Sequence, residues 1–440
     1  MKSITRKSFV IGLGLCLLFF NIVANSQGPA SGNPPATPAP VPLLSTGHPV
    51  NWWLVFKFNS GIFPGCSASA VRACTFGGTV QPYSAYGQQF VYASSENESL
   101  QDGSGCAGDT LTDPLGATFN QIYNGAYFYV VWNDQFYDDP AISGCTTECG
   151  SPWGHSKGVV AWNTNGAGFV LQVTTPSWPA SGNASHPRKT DGNTLGCVKD
   201  DDVEVSQDFF ALTLTKDDLV KVLTAMQNSS IVTDPTNPQI VKNGGPSDVQ
   251  ALVSGLGKQS KSKQYIVATL SSGVQLISKP SHLNVPPWQM VSSLLGGVSL
   301  RAATWWTSPE IPSTTASTKV GCWDASLKTK PGAVQIATTG SWQSKTFDLT
   351  GGMGTNFNHA KFGVSTSGAT NYSIFGDMNQ QGSLTGDCAS SQNGRGGMFY
   401  VLTDKGIHDS VQQLIAGQSA PTTAAKAPAA TTKKPAASKK

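Results

Sequence analysis

The hydrophobic pattern of the chain is that of a protein built mainly from strands and turns. Apolar runs of strand length recur between segments rich in Gly, Asn, Ser and Pro, which favour turns. Each of these runs predicts a buried strand. The clearest lie at residues 52–58, 90–93, 126–132 and 209–214.

Helical patterns are fewer. The strongest covers residues 217–226, and before it Thr215 and Asp218 have the spacing of a capping box. Its apolar stripe consists of Leu219, Val220, Val222 and Leu223. Weaker helical patterns lie at residues 247–256, 287–295 and 407–416. Strands with interspersed helices predict an α+β or mixed α/β body.

The two ends of the chain differ from the body. Residues 1–26 have basic residues, a short apolar run and small residues at cleavage spacing, which predicts a secretory signal peptide. No later stretch is long and apolar enough to cross a membrane, so we expect a soluble protein outside the cytosol. Residues 27–47 are rich in Pro and Gly and residues 418–440 in Lys, Ala and Pro, which predicts a disordered linker and a disordered tail.

Charge limits the class of partner. The chain has 29 basic and 26 acidic residues, and removing residues 1–26 and 418–440 takes away eight of the basic ones. The body therefore carries 21 basic against 26 acidic residues, a net charge of −5. This excludes a uniformly basic nucleic-acid binder, so a polyanionic partner must be met at a local site.

Eight cysteines remain after the signal peptide, and none forms a CxxC pair, so disulfides are favoured over zinc. They are Cys66, Cys74, Cys106, Cys145, Cys149, Cys197, Cys322 and Cys388. The sequence leaves their pairing open, although the close spacings Cys66/Cys74 and Cys145/Cys149 would suit local loops.

The most informative feature is a repeated His-x-Lys pattern. His155 and Lys157 lead into an apolar strand, a turn and a second strand, and His359 and Lys361 do the same 204 residues later. This separation is nearly half of the body and predicts two related halves, residues 48–215 and 216–417.

The repeat also predicts a chemistry. Residues i and i+2 of a strand share a face, so each copy presents one imidazole beside one ammonium. If the two pairs meet, one histidine can attack phosphorus, the other can protonate the leaving oxygen, and the lysines can offset the phosphate charge without a metal. A single His-x-Lys would more often be a half-exposed surface pair, and it is the repetition that favours a phosphodiesterase.

Further motifs surround these pairs. They are His48-Pro49-Val50-Asn51-Trp52-Trp53, Trp132-Asn133-Asp134-Gln135, the segment 154–159, Thr194-Leu195-Gly196-Cys197, Gly376-Asp377-Met378-Asn379 and Arg395-Gly396-Gly397. With them the chain resembles, along most of its body, the deoxyribonuclease II family, a secreted branch of the phospholipase D superfamily.

The resemblance implies a phospholipase D-like pseudo-twofold body of two halves, each a central β-sheet with flanking helices. It also implies a metal-independent acid endonuclease, without a cofactor, that cuts double-stranded DNA to 3′-phosphate and 5′-hydroxyl ends through a phosphohistidine. His155, Lys157, His359 and Lys361 inherit the catalytic roles. A homodimer clamping the duplex would fit the family.

The resemblance adds four candidate substrate-binding residues. Asn379 and Asp377 belong to a Gly-x-x-Asn element that places an asparagine at the phosphate, and Ser177 stands where the first half of the family commonly has Asn. Arg395 lies between glycines that would let a phosphate approach closely, although a plain Gly-rich turn is the alternative. Trp162 and Thr366 replace the superfamily's usual Asp after each lysine, as suits the deoxyribonuclease II branch.

Three other functions remain open. Residues 154–158 also match Gly-x-Ser-x-Gly, the nucleophile elbow of a serine esterase, but a strand and turn follow where an elbow needs a helix. Aromatic residues such as Trp305 and Trp306, which could stack on sugars, would suit a glycan-binding module. Another secreted phospholipase D-like phosphodiesterase would use the same histidines.

Overall fold

A computed structural model describes residues 38–63, 74–78, 89–145, 148–189, 192–197 and 203–422. The predicted signal peptide and residues 423–440 of the predicted tail lie outside the described residues. The chain divides into Met1–Ala36, which also lies outside them, and Thr37–Lys440.

The described residues form strands and five α-helices. The strands are β1 (Leu43–Ser45), β2 (His48–Pro49), β3 (Trp52–Lys57), β4 (Phe90–Ser94), β5 (Gln101–Asp102), β6 (Phe128–Asn133), β7 (Lys157–Trp162), β8 (Gly168–Val173), β9 (Gln207–Leu214), β10 (Val241–Lys242), β11 (Ile266–Thr269), β12 (Gln275–Lys279), β13 (Leu300–Ala303), β14 (Val334–Ile336), β15 (Thr339–Trp342), β16 (Lys345–Asp348), β17 (Phe362–Ser365), β18 (Ser373–Gly376) and β19 (Gly397–Leu402). The helices are α1 (Pro114–Tyr123), α2 (Lys216–Asn228), α3 (Ser247–Ser254), α4 (Pro287–Leu294) and α5 (Lys405–Leu414).

Two large sheets organise these elements. The first is antiparallel throughout, in the order β10-β6-β7-β8-β9-β3-β4-β5. The second has the order β11-β12-β19-β18-β17-β13-β14 and is antiparallel except for the parallel pair β13 and β14. The predicted α+β class is therefore confirmed.

The two sheets share a strand order around the His-x-Lys segments. In the first, β6-β7-β8-β9-β3 are neighbours in that order, and in the second β13-β17-β18-β19-β12 are. Lys157 begins β7 and Lys361 immediately precedes β17, so each pair enters the corresponding strand. A helix follows the fourth strand of each set, α2 after β9 and α5 after β19. Because β10 belongs to the first sheet, that sheet extends past the predicted boundary at residue 215.

The sheets pack against each other through aromatic side chains. Phe210 of β9 stacks on Phe375 of β18 with ring centroids 4.8 Å apart, and Phe56 of β3 meets Phe362 of β17 at 5.3 Å. Every residue of β7 and β8 is buried. Both faces of these strands are therefore covered, which explains why their sequences are nearly continuous apolar runs. This packing brings the residues that precede β7 and β17 to one place.

Most predicted elements are confirmed within a few residues. The capping box of α2 is present, with Thr215 accepting a hydrogen bond from the backbone N–H of Asp218 and the Asp218 side chain bonding back. Helix α1 was not predicted, although Asp113 caps it and Pro114 occupies its first turn, both standard start signals.

Two boundary predictions are wrong. Residues 38–47 were expected to be disordered, but Leu43–Ser45 forms a strand and the backbone N–H of Val41 donates to Gln121. At the other end the ordered chain continues past residue 417, because the N–H of Ala420 donates to the carbonyl of Ile336. Short terminal segments of this kind are ordered by hydrogen bonds to the body, which composition does not reveal.

Disulfides join distant segments. Cys74 pairs with Cys197 and Cys322 with Cys388, Cys145 pairs with Cys149 as its spacing suggested, and Cys106 is also disulfide-bonded. The local Cys66/Cys74 pairing suggested by sequence is therefore wrong.

Candidate active site

Residues that precede β7 and β17 meet at a pocket of about 620 Å³. Its lining comes from both sheets and their loops. Five predicted site residues line it, namely His155, His359, Lys361, Asn379 and Arg395. Lys157, Ser177 and Asp377 do not line it.

The orientation of His155 is set by two hydrogen bonds. Its backbone N–H donates to the carbonyl of Gly396 at 2.8 Å, and its Nδ1 lies 2.5 Å from the main-chain oxygen of Asp377. A carbonyl oxygen can only accept, so Nδ1 carries the proton. In the neutral ring the Nε2 atom then holds the free lone pair.

Lys157 is part of a buried ion network. Its Nζ donates to Oδ1 of Asp134 at 2.6 Å, and the other carboxylate oxygen accepts from Nη2 of Arg395 at 2.7 Å. Burial alone would raise the pKa of Asp134, but the charges of Lys157, His155 and Arg395 outweigh it and hold that pKa well below its usual range. The ammonium of Lys157 is thus neutralised inside the protein rather than presented to the pocket.

Arg395 is held by the backbone as well as by Asp134. Its guanidinium donates to the carbonyls of Cys149, Trp153 and Gly154 at 2.5, 3.1 and 2.9 Å. The alternative of a solvated arginine in a Gly-rich turn is therefore wrong, because the side chain is buried and its Nε and Nη2 atoms are hydrogen-bonded to the protein.

The second histidine is supported differently. The backbone N–H of His359 donates to the carbonyl of Ser206 at 2.8 Å, and the edge of its ring meets Trp305, with centroids 4.0 Å apart. The backbone N–H of Lys361 donates to Oδ1 of Asp208 at 2.6 Å. In contrast to Lys157, Lys361 has no carboxylate within ion-pair distance in the part of the chain that the structure describes.

Burial and positive charge favour the neutral imidazoles. Desolvation, followed by the charge of Lys157, holds the pKa of His155 well below its usual value, against the opposing effect of Asp134. Desolvation, followed by Lys361, Lys157, His155 and Lys57, does the same to the pKa of His359. Burial lowers the pKa of Lys361 to about 8, so it stays charged at acid pH. A bound phosphodiester would oppose these shifts.

Asp377 does not reach the pocket with its side chain, so its predicted direct contact with substrate is wrong. The carboxyl group is fully buried, and neither oxygen has a hydrogen-bond partner among the described residues. Burial raises its pKa to about 8, which keeps it neutral at acid pH. Asp377 acts on the site through its main-chain oxygen, which accepts from His155.

Asn379 faces the pocket from the turn after β18. Its Nδ2 donates to Oε1 of Gln381 at 2.9 Å, and its backbone N–H donates to Oε1 of Gln392 at 3.3 Å. Gln381 and Gln392 also line the pocket. Sequence reasoning missed both glutamines, since only their contacts with Asn379 single them out.

Ser177 lies elsewhere, and its predicted substrate contact is wrong. Its Oγ donates to the carbonyl of Phe136 at 3.3 Å and accepts from Nη2 of Arg188 at 2.8 Å. The strand register gives the reason: Val173 pairs with Lys157, and Gly376 donates its N–H to the carbonyl of Lys361. Gly376 and Val173 therefore occupy equivalent positions. Asn379 lies three residues after Gly376, and the residue three positions after Val173 is Pro176, which has no side-chain donor.

The esterase alternative is excluded. Ser156 is fully buried and its Oγ accepts a hydrogen bond from Nε1 of Trp132 at 2.9 Å, away from the pocket. A strand follows at Lys157, where a nucleophile elbow requires a helix. The glycan-binding alternative is weakened, because Trp305 packs on His359 and Nε1 of Trp306 donates to the carbonyl of Ile311.

Two features are absent from the described residues. Nowhere among them do three or more His, Cys, Asp or Glu side chains converge as a metal site. Nor does any helix there have the length and apolar character needed to cross a membrane.

Comparison with known proteins gives one family. The family model described as deoxyribonuclease II matches residues 43–420, which is most of the chain. A search of curated proteins finds no match.

Proposed function

Because the chain belongs to the deoxyribonuclease II family and is therefore an acid deoxyribonuclease, we propose that it cuts double-stranded DNA without a metal ion. The reaction centre of this proposal is the pocket between His155 and His359. One observation carries it: two histidines and Lys361, distant in sequence, line a single pocket.

In the first step, Nε2 of His155 attacks phosphorus. The fixed Nδ1–H of His155 supports this assignment, because it leaves the Nε2 lone pair for the attack. The bond from phosphorus to the 5′-oxygen breaks, and His359 gives its proton to that oxygen. The products are a free 5′-hydroxyl end and a phosphohistidine that carries the 3′-side of the DNA.

In the second step, the now neutral His359 takes a proton from water. The water oxygen attacks phosphorus, the bond to Nε2 of His155 breaks, and the DNA leaves with a 3′-phosphate. The ammonium of Lys361 offsets charge on the non-bridging oxygens in both steps. Asn379 and Arg395 complete the phosphate pocket, and Lys157 contributes through Asp134.

Several further properties belong to the proposal. Shared strand order supports a phospholipase D-like pseudo-twofold body. The N-terminal pattern supports secretion, and sequencing the N-terminus of the exported protein would test it. The likeness to the family supports a homodimer, and light scattering would test it. Another phosphodiester substrate for the same pocket is the remaining alternative.

Plasmid DNA provides the test. The protein should nick plasmid at acid pH in excess EDTA, and the new ends should accept label from a 5′-kinase without prior dephosphorylation. His155→Ala and His359→Ala should each abolish nicking. Loss of activity in EDTA, or 5′-phosphate ends, would contradict the proposal.

A further inference from the structure

Two lysines outside the pocket are fully buried, and each donates hydrogen bonds from Nζ to two backbone carbonyls. Nζ of Lys279, the last residue of β12, donates to the carbonyls of Asn393 and Arg395 at 2.8 and 2.7 Å. Nζ of Lys57, the last residue of β3, donates to the carbonyls of Val203, at 2.8 Å, and Val205.

The two lysines occupy matching positions in the two sheets. Lys57 pairs with Gln207, the first residue of β9, and Lys279 pairs with Gly397, the first residue of β19. In both cases the carbonyls that accept from Nζ belong to the residues two and four positions before the paired residue. The same arrangement therefore occurs twice, once in each sheet.

Each lysine holds the segment that supports one histidine. Between Val205 and Gln207, the carbonyl of Ser206 accepts the backbone N–H of His359. Between Arg395 and Gly397, the carbonyl of Gly396 accepts the backbone N–H of His155. Lys57 of the first sheet thus holds the segment that binds His359, which precedes β17 of the second sheet. Lys279 of the second sheet holds the segment that binds His155, which precedes β7 of the first sheet.

We propose that Lys57 and Lys279 are a matched pair of positioning residues, each fixing the backbone of one catalytic histidine from behind the pocket. This rests on the proposed function. Burying an ammonium group is costly, and only well-placed acceptors offset the cost. Two carbonyls turned toward one Nζ impose a local backbone conformation that an apolar side chain in the same space would not impose.

Lys57 has an additional electrostatic effect. Besides burial, the charges that lower the pKa of His359 are those of Lys361, Lys157, His155 and Lys57. The acidic groups near this cluster are Asp208 and Asp377, which interact with Lys361. Removing the Lys57 charge should therefore let His359 keep its proton to higher pH. A role in folding alone predicts no such change.

The test compares Lys57→Met and Lys279→Met with wild type. A misplaced catalytic group costs up to about 10²-fold in rate, so we expect kcat per folded molecule to fall roughly 10- to 100-fold with KM nearly unchanged. Lys242→Met is the matched control, since Nζ of Lys242 donates to the carbonyl of Ala126 away from the pocket. Its kcat should equal that of wild type.

Lys57→Gln and Lys279→Gln keep one donor group and serve if the Met variants do not fold. They should lose less activity than the Met variants, and in Lys57→Gln the fall in kcat/KM with rising pH should move to higher pH. Unchanged kcat and an unchanged pH profile in folded variants would overturn the inference. A wild-type protein that does not cut DNA would overturn the proposed function instead.

Discussion

The carboxylate of Asp134 lies 2.6 Å from the ammonium of Lys157, and both side chains are fully buried. The second carboxylate oxygen binds Arg395, so one anion pairs with two cations that come from different parts of the chain. This network therefore links β7, which follows His155, to the segment that carries Arg395.

Asp134→Asn should strongly destabilise the fold. It would leave Lys157 and Arg395 buried without an anion, and breaking a buried pair costs about 3–5 kcal/mol. Urea unfolding measures the change, and adding Lys157→Met to Asp134→Asn should restore part of the loss. The exposed pair Lys216 and Asp248 is the control, where Asp248→Asn should change the free energy of unfolding little, because solvent screens both charges. Equal losses at the two sites would contradict this view of the network.

Substitution of Lys361 and of Lys157 should have different effects on rate and stability. Lys361→Met removes a charge that faces the pocket and should lower kcat by about 10²- to 10³-fold without a large loss of stability. Lys157→Met instead leaves the buried carboxylate of Asp134 with Arg395 as its remaining ion-pair partner. This variant should therefore lose stability as well as catalytic rate. Parallel kinetics and unfolding curves test this, and identical profiles for the two variants would refute the distinction.

Activity should fall as pH rises from the acid range toward neutrality. His359 must be protonated to act as the acid, and its pKa in the free enzyme lies well below 6.5 because of burial and neighbouring lysines. The protonated fraction therefore decreases as pH rises through that lowered value. Lys361, with a pKa of about 8, stays charged over the same range and cannot cause the fall. A kcat/KM that climbs steadily to alkaline pH would contradict this.

Asn379→Ala should weaken catalysis, whereas Ser177→Ala should not. Asn379 faces the pocket, and its Nδ2, which donates one hydrogen bond to Gln381, has a second N–H that a phosphate oxygen can accept. Ser177 binds Arg188 and Phe136 away from the pocket. A drop of about tenfold in kcat/KM for the asparagine variant alone is the expected result. A comparable drop in folded Ser177→Ala would restore the serine as a site residue.

The two His-x-Lys pairs could be identified from the sequence because each pair lies within a short segment. A His-x-Lys before an apolar strand can be read from sequence, and its repetition predicted that both histidines share a site. Asp134 could be noticed only as part of a motif, because its contacts with Lys157 and Arg395 depend on how distant segments pack.

Register explains the error at Ser177. The sequence offers two neighbouring residues, Pro176 and Ser177, as counterparts of Asn379, and a shift of one residue reverses the direction of a side chain. The family resemblance pointed to the serine, but strand pairing selects the proline. Lys57 and Lys279 were missed for a similar reason, since nothing local distinguishes a lysine that binds buried carbonyls from one at the surface.

The covalent intermediate tests the central claim most directly. A nucleotide 3′-(p-nitrophenyl phosphate) has a leaving group that needs no proton, so His359→Ala should still form the phosphohistidine but fail to hydrolyse it. We predict one equivalent of p-nitrophenolate released in a burst, and mass spectrometry at alkaline pH should place the nucleotidyl group on His155. An adduct on another residue, or steady turnover without an adduct, would contradict the paired-histidine mechanism.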